Sequence, residues 1–161
     1  MVIGEKRGKM LKHKPMHLED ELCFAVHSAQ KLYNRFYTAA LKNYGLTYVQ
    51  YTVLLVLWEE RRPMMVKELG ERLRLDSGTL TPLLNRLERQ GWVSRNRDSG
   101  DARCVMVELT KKSAEAEHAV KRHIQDCVLP IDMTEGEYRE CIDVLNEISG
   151  KLELISGHLS G

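Results

Sequence analysis

The sequence lacks a long hydrophobic run and an excess of charge of either sign. Its longest apolar stretch, Tyr51 to Trp58, is far shorter than the ~20 residues that a membrane-spanning helix needs, and no hydrophobic signal region opens the chain. We therefore expect a soluble, cytoplasmic protein. The formal net charge of +1 neither demands nor excludes a nucleic-acid partner, so any basic DNA-binding face must be local.

The sequence also lacks paired cysteines. Its four cysteines lie far apart and form no CxxC pair: Cys23, Cys104, Cys127 and Cys141. This spacing argues against a zinc knuckle and against the disulfide scaffold of a secreted protein. We therefore expect neither a bound metal nor a cofactor. The length of 161 residues predicts one folding unit.

Apolar periodicity divides the chain into a basic arm and a helical domain. Residues 1–16 are rich in lysine and arginine and show no apolar period, which predicts a flexible arm before a single domain at 17–161. From Leu18 to about residue 45, apolar residues recur at steps of three and four, as in a long amphipathic helix. Thr47 is expected to cap a second, almost wholly apolar helix that ends before Pro63 and belongs to the core.

The middle of the chain has the pattern of a winged helix-turn-helix. Two short helical patterns are separated by a polar turn at 75–78, which is typical of a helix-turn-helix. Gly91 ends the second of these helices. Two runs, 92–95 and 104–109, then flank a polar loop, which predicts a β-hairpin wing.

Two further helices close the chain. One is expected from Thr110 to about Cys127, and the other follows Thr134, which begins a T-x-x-E capping box. The apolar stripe of the last helix is long for a chain that has already built a core, which indicates a dimer interface shared with the first helix. The predicted fold is mainly α with a small β-hairpin wing. Its expected parts are a DNA-binding lobe at about 47–110 and dimerisation helices at about 17–45 and 110–158.

The second helix of the helix-turn-helix is the candidate DNA-reading element. Its non-core face presents six polar residues: Ser77, Thr79, Thr81, Asn85, Arg86 and Arg89. Hydroxyls and arginines bind phosphate oxygens or base edges, although a solvated helix face has the same pattern. In the wing, Arg97 and Arg103 are candidates for an adjacent minor groove. Asp98 and Asp101 are expected to hold the wing arginines by ion pairing.

These motifs resemble a known family. The order of the elements, the RxRDxxDxR wing and the following Val-x-Leu-Thr are similar to the MarR family of bacterial regulators over about residues 17–158. The segment LDSGTLTPLLNRLERQGWVSR, with ELCF and LTYVQY, resembles more specifically the organic-hydroperoxide-resistance (OhrR-like) branch and its staphylococcal-type redox relatives. The resemblance implies a homodimeric repressor that binds an inverted-repeat operator in double-stranded DNA. It also implies release of that operator when an organic hydroperoxide oxidises a cysteine.

Cys23 is the candidate redox-sensing residue. A cysteine near a helix start is either a packing residue or, where the helix dipole stabilises its thiolate, a reactive one. In the resembled branch the sensing cysteine matches Cys23, and two tyrosines that hydrogen-bond its sulfur match Tyr37 and Tyr48. A further tyrosine of the branch corresponds to His27. His27 is therefore either a residue that tunes the thiolate or an ordinary interface histidine.

The spacing along the first helix restricts how such a site is built. Tyr37 lies 14 residues beyond Cys23, about 21 Å along one helix axis. The two side chains cannot touch within one subunit, so a shared site needs the tyrosines of the partner chain. By the resemblance, Cys127 is the candidate resolving cysteine, which captures the oxidised thiol as an intersubunit disulfide. Cys104 and Cys141 are expected to be packing residues.

Two other functions compete with a peroxide-responsive repressor. The first is a MarR-type repressor that releases its DNA when a small aromatic or anionic ligand enters the pocket between the dimer helices and the DNA lobes. A thiol peroxidase would turn over peroxide with a cysteine nucleophile. A helix-turn-helix and a wing have no role in such an enzyme, and no thioredoxin-like pattern is present. We therefore expect a protein that is not an enzyme and has no catalytic residues.

Overall fold

The computed structural model describes residues 13–97 and 105–159, except for the side chain of Arg97. The α-helices of these ranges are α1 (Leu22–Ala40), α2 (Tyr48–Glu60), α3 (Val66–Leu73), α4 (Ser77–Arg89), α5 (Lys111–Val128) and α6 (Glu135–Leu159). The strands are β1 (Met64–Met65), β2 (Val93–Arg97) and β3 (Val105–Leu109). The predicted fold class, mainly α with a small β wing, is confirmed. None of the described helices is long and apolar enough to span a membrane.

The strands form one antiparallel sheet in the order β1, β3, β2. The predicted hairpin is confirmed, because β2 pairs with β3 from Val93 opposite Leu109 to Arg97 opposite Val105. Strand β1 was not predicted. It pairs Met64 with Val107 on the other edge of β3, and two residues are too few to show an alternating pattern.

Local hydrogen bonds explain where the helices begin. The predicted cap of α2 is confirmed: the Thr47 N–H donates to Gln50 Oε1 at 2.9 Å, and the Gln50 N–H donates to Thr47 Oγ1 at 3.4 Å. The long first helix predicted from Leu18 to about residue 45 is interrupted at both ends. A 3₁₀ turn precedes α1, and another follows it before Gly45, whose φ of +65° is the left-handed conformation that glycine adopts without strain.

The chain divides into two compact units, one up to Ala114 and one from Glu115. The predicted core role of α2 is confirmed, since the buried side chains of the first unit come largely from this helix and from α4. The largest of them are Trp58, Leu41, Leu54, Leu57, Met64, Leu69, Leu80, Leu84, Leu87, Val53, Val93 and Val107. The Trp58 indole N–H donates to the Ser113 carbonyl at 3.1 Å, so this large ring is buried with its polar atom paired.

In the second unit, the predicted capping box before α6 is confirmed. The Thr134 N–H donates to Glu137 Oε2 at 2.8 Å, and the Glu137 N–H donates to Thr134 Oγ1 at 3.3 Å. The Thr134 N–H contributes most to holding the pKa of the Glu137 carboxyl below its usual value, and the Thr134 hydroxyl, which donates to the same oxygen at 2.7 Å, adds to the effect. The box fixes the residue at which the chain re-enters a helix after Pro130.

Neither α1 nor α6 buries any residue in the single chain. Their apolar side chains are nevertheless numerous and exposed. On α1 these are Leu22, Val26, Leu32 and Tyr33, and on α6 they are Tyr138, Ile142, Val144, Leu145, Leu152, Leu154, Ile155 and Leu159. Exposed apolar area of this extent marks an interaction surface rather than an ordinary solvated face.

The buried face of α4 gives a direct test of the first unit's core. Leu84 is fully buried, so Leu84→Ala leaves a cavity and is expected to lower the free energy of unfolding by about 2–5 kcal/mol. Urea denaturation at one fixed protein concentration measures this loss. Arg86→Ala, an exposed change two residues further along α4, should shift stability by less than about 0.5 kcal/mol. Equal losses in the two variants would contradict the assigned faces of α4.

Candidate nucleic-acid interface and thiol site

Helices α3 and α4 form the helix-turn-helix. The turn between them passes close to α3, because a Cβ on Gly70 would lie only 2.9 Å from the carbonyl oxygen of Leu75. Asp76 then caps α4: its carboxylate accepts the Thr79 N–H at 2.9 Å and the Thr79 hydroxyl at 2.8 Å. The Thr79 hydroxyl is the larger cause of the lowered pKa of Asp76. The sequence indicated only a polar turn here.

All six residues predicted on the DNA-reading face of α4 are exposed: Ser77, Thr79, Thr81, Asn85, Arg86 and Arg89. Two of them are oriented along the helix by local bonds. The Thr81 hydroxyl donates to the Ser77 carbonyl at 2.8 Å, and Arg89 Nε donates to the Asn85 carbonyl at 3.3 Å. The opposite face is buried through Leu80, Leu84 and Leu87. The helix therefore separates a core face from a polar face available to a partner.

The wing is joined to α4 by an ion pair that was not predicted. Arg95 on β2 donates from Nε and Nη2 to Glu88 Oε2, at 3.0 and 2.5 Å, and its backbone N–H donates to Glu88 Oε1 at 3.2 Å. Of the predicted wing residues, Arg97 lies at the end of β2, and the structure does not describe its side chain. Three more, Asp98, Asp101 and Arg103, lie outside the described residues together with Cys104.

The C-terminal end of α4 is held by residues far along the chain. The carbonyl of Gln90 accepts Lys112 Nζ at 2.8 Å, and that ammonium also lies 4.8 Å from the centre of the Trp92 ring. The Gln90 side-chain amide donates to the carbonyl of Gly45 at 2.9 Å. The Thr110 hydroxyl donates to the carbonyl of Gly91 at 2.7 Å. No local pattern in the sequence signals these contacts, because their partners are 19 to 45 residues apart.

Cys23 is the second residue of α1 and is exposed in the single chain. Its predicted partners Tyr37 and Tyr48 lie together, with ring centroids 4.8 Å apart. Tyr51, which was not predicted, stacks on Tyr37 at 5.8 Å. The two tyrosines thus form one aromatic group at the other end of α1. His27 lies one turn after Cys23 and is exposed.

The other described cysteines differ in their surroundings. Cys127 lies at the end of α5, is half-buried, and places its Sγ 3.6 Å from Nε2 of His123. His123 was not predicted, although its spacing of four residues puts both side chains on one helix face. Cys141 lies on the exposed apolar side of α6. Within the described ranges, no group of three or more His, Cys, Asp or Glu side chains is arranged to hold a metal ion.

Comparisons with known proteins match this architecture. A family model described as "Transcriptional regulator SarA/Rot" matches residues 35–120. The transcriptional regulator TtmR of Methylorubrum extorquens is 55% identical over 98 residues, 61% of this chain and 50% of that protein, so the match spans half of its length. The organic hydroperoxide resistance transcriptional regulator of Bacillus subtilis is 43% identical over 99 residues, 62% of this chain and 67% of that protein.

Solved structures of AbfR from Staphylococcus epidermidis are also similar. Reduced AbfR bound to DNA has a TM-score of 0.77 and 38% identity, covering 86% of this chain and 94% of that one. Overoxidised AbfR bound to DNA has a TM-score of 0.72 and 37% identity, with coverages of 84% and 94%. A disulfide form of AbfR has a TM-score of 0.62 and 37% identity, with coverages of 81% and 91%.

The fold and the site define a winged helix-turn-helix protein. The chain belongs to the SarA/Rot family of MarR-like transcriptional regulators. The resemblance seen in its sequence is therefore confirmed. Its relatives are transcriptional regulators, and nothing among them indicates an enzyme family.

The ion pair between Glu88 and Arg95 should give stability with a defined pH dependence. Arg95 lowers the pKa of Glu88 chiefly by hydrogen bonding, so the pair stabilises the fold above the unfolded-state pKa of this carboxyl. That stability is lost as pH falls through the lowered, folded-state pKa. Glu88→Gln should therefore cost about 1 kcal/mol at neutral pH, since both groups are partly solvent-screened, and less in acid.

Urea denaturation at several pH values measures this difference between wild type and Glu88→Gln. The matched control is Glu71→Gln, which removes a carboxylate 3.9 Å from Lys67 in a highly exposed pair. We expect the control to change stability little at any pH. A Glu88→Gln penalty that is constant, or that grows toward acid pH, would contradict the role assigned to the pair.

Proposed function

We propose that this protein is a dimeric, cytoplasmic repressor that binds operator DNA and releases it when an organic hydroperoxide oxidises Cys23. The observation that carries the proposal is the position of Cys23, an exposed thiol in the first turn of α1. Similarity to a Bacillus subtilis regulator named for organic hydroperoxide resistance supports the choice of oxidant. Similarity to AbfR, solved on DNA, supports the choice of partner.

The proposed DNA contact is the exposed face of α4 in a major groove. The start of the helix approaches the DNA first, because small side chains lie at that end. Arg86 and Arg89 then neutralise phosphates further along the helix. Arg97 and Arg103 of the wing reach the adjacent minor groove, and Asp98 and Asp101 hold the wing arginines in place.

The proposed dimer covers the exposed apolar faces of α1 and α6 with a second copy of the chain. Burying these faces is favourable, because it removes their large apolar side chains from water. A two-fold dimer places two copies of α4 about one DNA helical turn apart, ~10 base pairs, or a small multiple of it. The operator is therefore an inverted repeat.

Oxidation of Cys23 requires its thiolate, and in this proposal the partner subunit supplies the hydroxyl groups that stabilise it. A helix start favours a negative charge, and hydrogen-bond donors to a sulfur favour its thiolate further. We propose that Tyr37 and Tyr48 of the partner subunit, whose rings are in contact, both hydrogen-bond the sulfur. His27 then lies beside the same site and tunes it.

The proposed releasing state is a disulfide between Cys23 of one subunit and Cys127 of the other. The solved relative AbfR supports this choice, since its reduced and overoxidised forms are both described on DNA while a disulfide form is described separately. A disulfide requires Cα atoms within about 7 Å. Any larger separation in the reduced dimer would have to close on oxidation, and in this proposal that movement changes the spacing of the two α4 helices and spoils their fit to the operator.

Salt dependence tests the DNA face of α4. Arg89→Ala should weaken binding to the protein's own upstream DNA and lower the slope of log K against log salt by about 1, since one phosphate contact is lost. Arg86→Ala should act in the same way. Fluorescence anisotropy at several salt concentrations measures both. Arg139→Ala on α6 removes the same charge from an exposed side chain and should leave the slope unchanged. If the slope of log K against log salt were the same for Arg89→Ala and Arg139→Ala, α4 would not be part of the DNA interface.

Hydroperoxide treatment tests the sensing role of Cys23. On addition of cumene hydroperoxide, wild type should release labelled operator DNA, whereas Cys23→Ser should stay bound because it has no thiolate to oxidise. Tyr37→Phe and Tyr48→Phe should be released more slowly. Cys141→Ser removes a thiol that has no role in the proposed mechanism and should respond like wild type. If Cys23→Ser also released the DNA, Cys23 would not be the sensor. Another thiol would then sense the hydroperoxide, or the alternative mechanism would hold, in which a small aromatic or anionic ligand displaces the DNA.

A further inference from the structure

The end of α5 contains a thiol and an imidazole in contact. Sγ of Cys127 and Nε2 of His123 are 3.6 Å apart, a sulfur–nitrogen hydrogen-bond distance. Both side chains are half-buried, so the pair is partly shielded from water and still reachable from it. A thiol of this kind is inert while protonated, because the thiolate is the nucleophile. Imidazole is the side chain best suited to take up a proton near neutral pH.

We propose that His123 accepts the thiol proton of Cys127 when Cys127 resolves oxidised Cys23. The inference rests on the proposed function, in which hydroperoxide has converted Cys23 to a sulfenic acid and left as the alcohol. The Cys127 sulfur attacks the Cys23 sulfur, forming the S–S bond as the S–O bond breaks. The proton held on Nε2 leaves with the departing hydroxide as water. The disulfide forms with no further oxidant or reductant.

The position of the pair suits this reaction. Cys127 is the penultimate residue of α5, and a 3₁₀ turn at Leu129–Ile131 follows, so the thiol lies where the helix ends and local opening is easiest. His123 lies one turn earlier in the same helix, further from its end. The base therefore lies within α5, while the nucleophile is next to the residue at which the helix ends.

A variant with Cys127 as its only cysteine tests the contact between His123 and Cys127 without any oxidation step. With Cys23→Ser, Cys104→Ser and Cys141→Ser in the full chain, Cys127 alone reacts with iodoacetamide. His123→Ala should slow this alkylation about 10-fold, which is modest for loss of a proton acceptor because the site is partly hydrated. Added imidazole should restore most of the rate. His118→Ala removes an exposed histidine from the same helix and should leave the rate unchanged.

A second measurement uses the chain with all four cysteines and cumene hydroperoxide. Dimedone labelling follows the sulfenic acid at Cys23, and non-reducing electrophoresis follows the covalent dimer. His123→Ala should leave the first rate unchanged and slow the second about 10-fold, with rescue by imidazole. Cys127→Ser should give the sulfenic acid and no covalent dimer.

The two measurements separate the ways in which the inference fails. If alkylation is unchanged by His123→Ala, or is slowed without rescue by imidazole, His123 is not the proton acceptor, whatever the disulfide does. If alkylation depends on His123 but wild type forms no covalent dimer, the resolving reaction is absent, and its assignment to His123 falls with it. If Cys23 forms no sulfenic acid, the proposed function itself is overturned.

Discussion

The position of α4 depends on the turn that follows it. Gly91 adopts φ +73°, which a side chain disfavours, and turns the chain from α4 into β2. The carbonyls exposed by this turn do not stay unpaired: Gln90 accepts Lys112, and Gly91 accepts the Thr110 hydroxyl. Because Thr110 also accepts the Ser113 N–H, the same residue starts α5. One turn thus sets the end of α4, the start of β2 and the start of α5.

The same turn connects the elements that carry the two candidate sites of the first unit. The Gln90 side chain binds the carbonyl of Gly45, and Gly45 separates α1, which carries Cys23, from α2, which carries Tyr48. The ion pair from Glu88 to Arg95 adds the wing to this group of contacts. A displacement of α1 or of the start of α5 therefore changes hydrogen bonds at α4 directly. Such short, specific contacts would suit the proposed switch between two discrete arrangements of the helix pair.

The sequence predicts the parts of this structure that depend on neighbours along the chain. Helical periodicity separates Leu84 from Arg86, and the cap residue Thr47 and the T-x-x-E pattern at Thr134 give the starts of two helices. The unpredicted parts depend on residues distant in sequence. Strand β1 exists because β3 pairs with it, and the bond from Gln90 to Gly45 spans 45 residues. No local pattern encodes such pairings.

The two cysteines of the proposed mechanism illustrate the same distinction. The contact partner of Cys127 lies four residues away on its own helix, so this contact forms within one chain, and the spacing H-x-x-x-C could in principle have predicted it. The proposed partners of Cys23 lie at the other end of α1, so its environment depends on a two-fold axis. In the proposed mechanism, oxidation of Cys23 therefore requires an assembled dimer, whereas the contact that prepares Cys127 already forms within one chain.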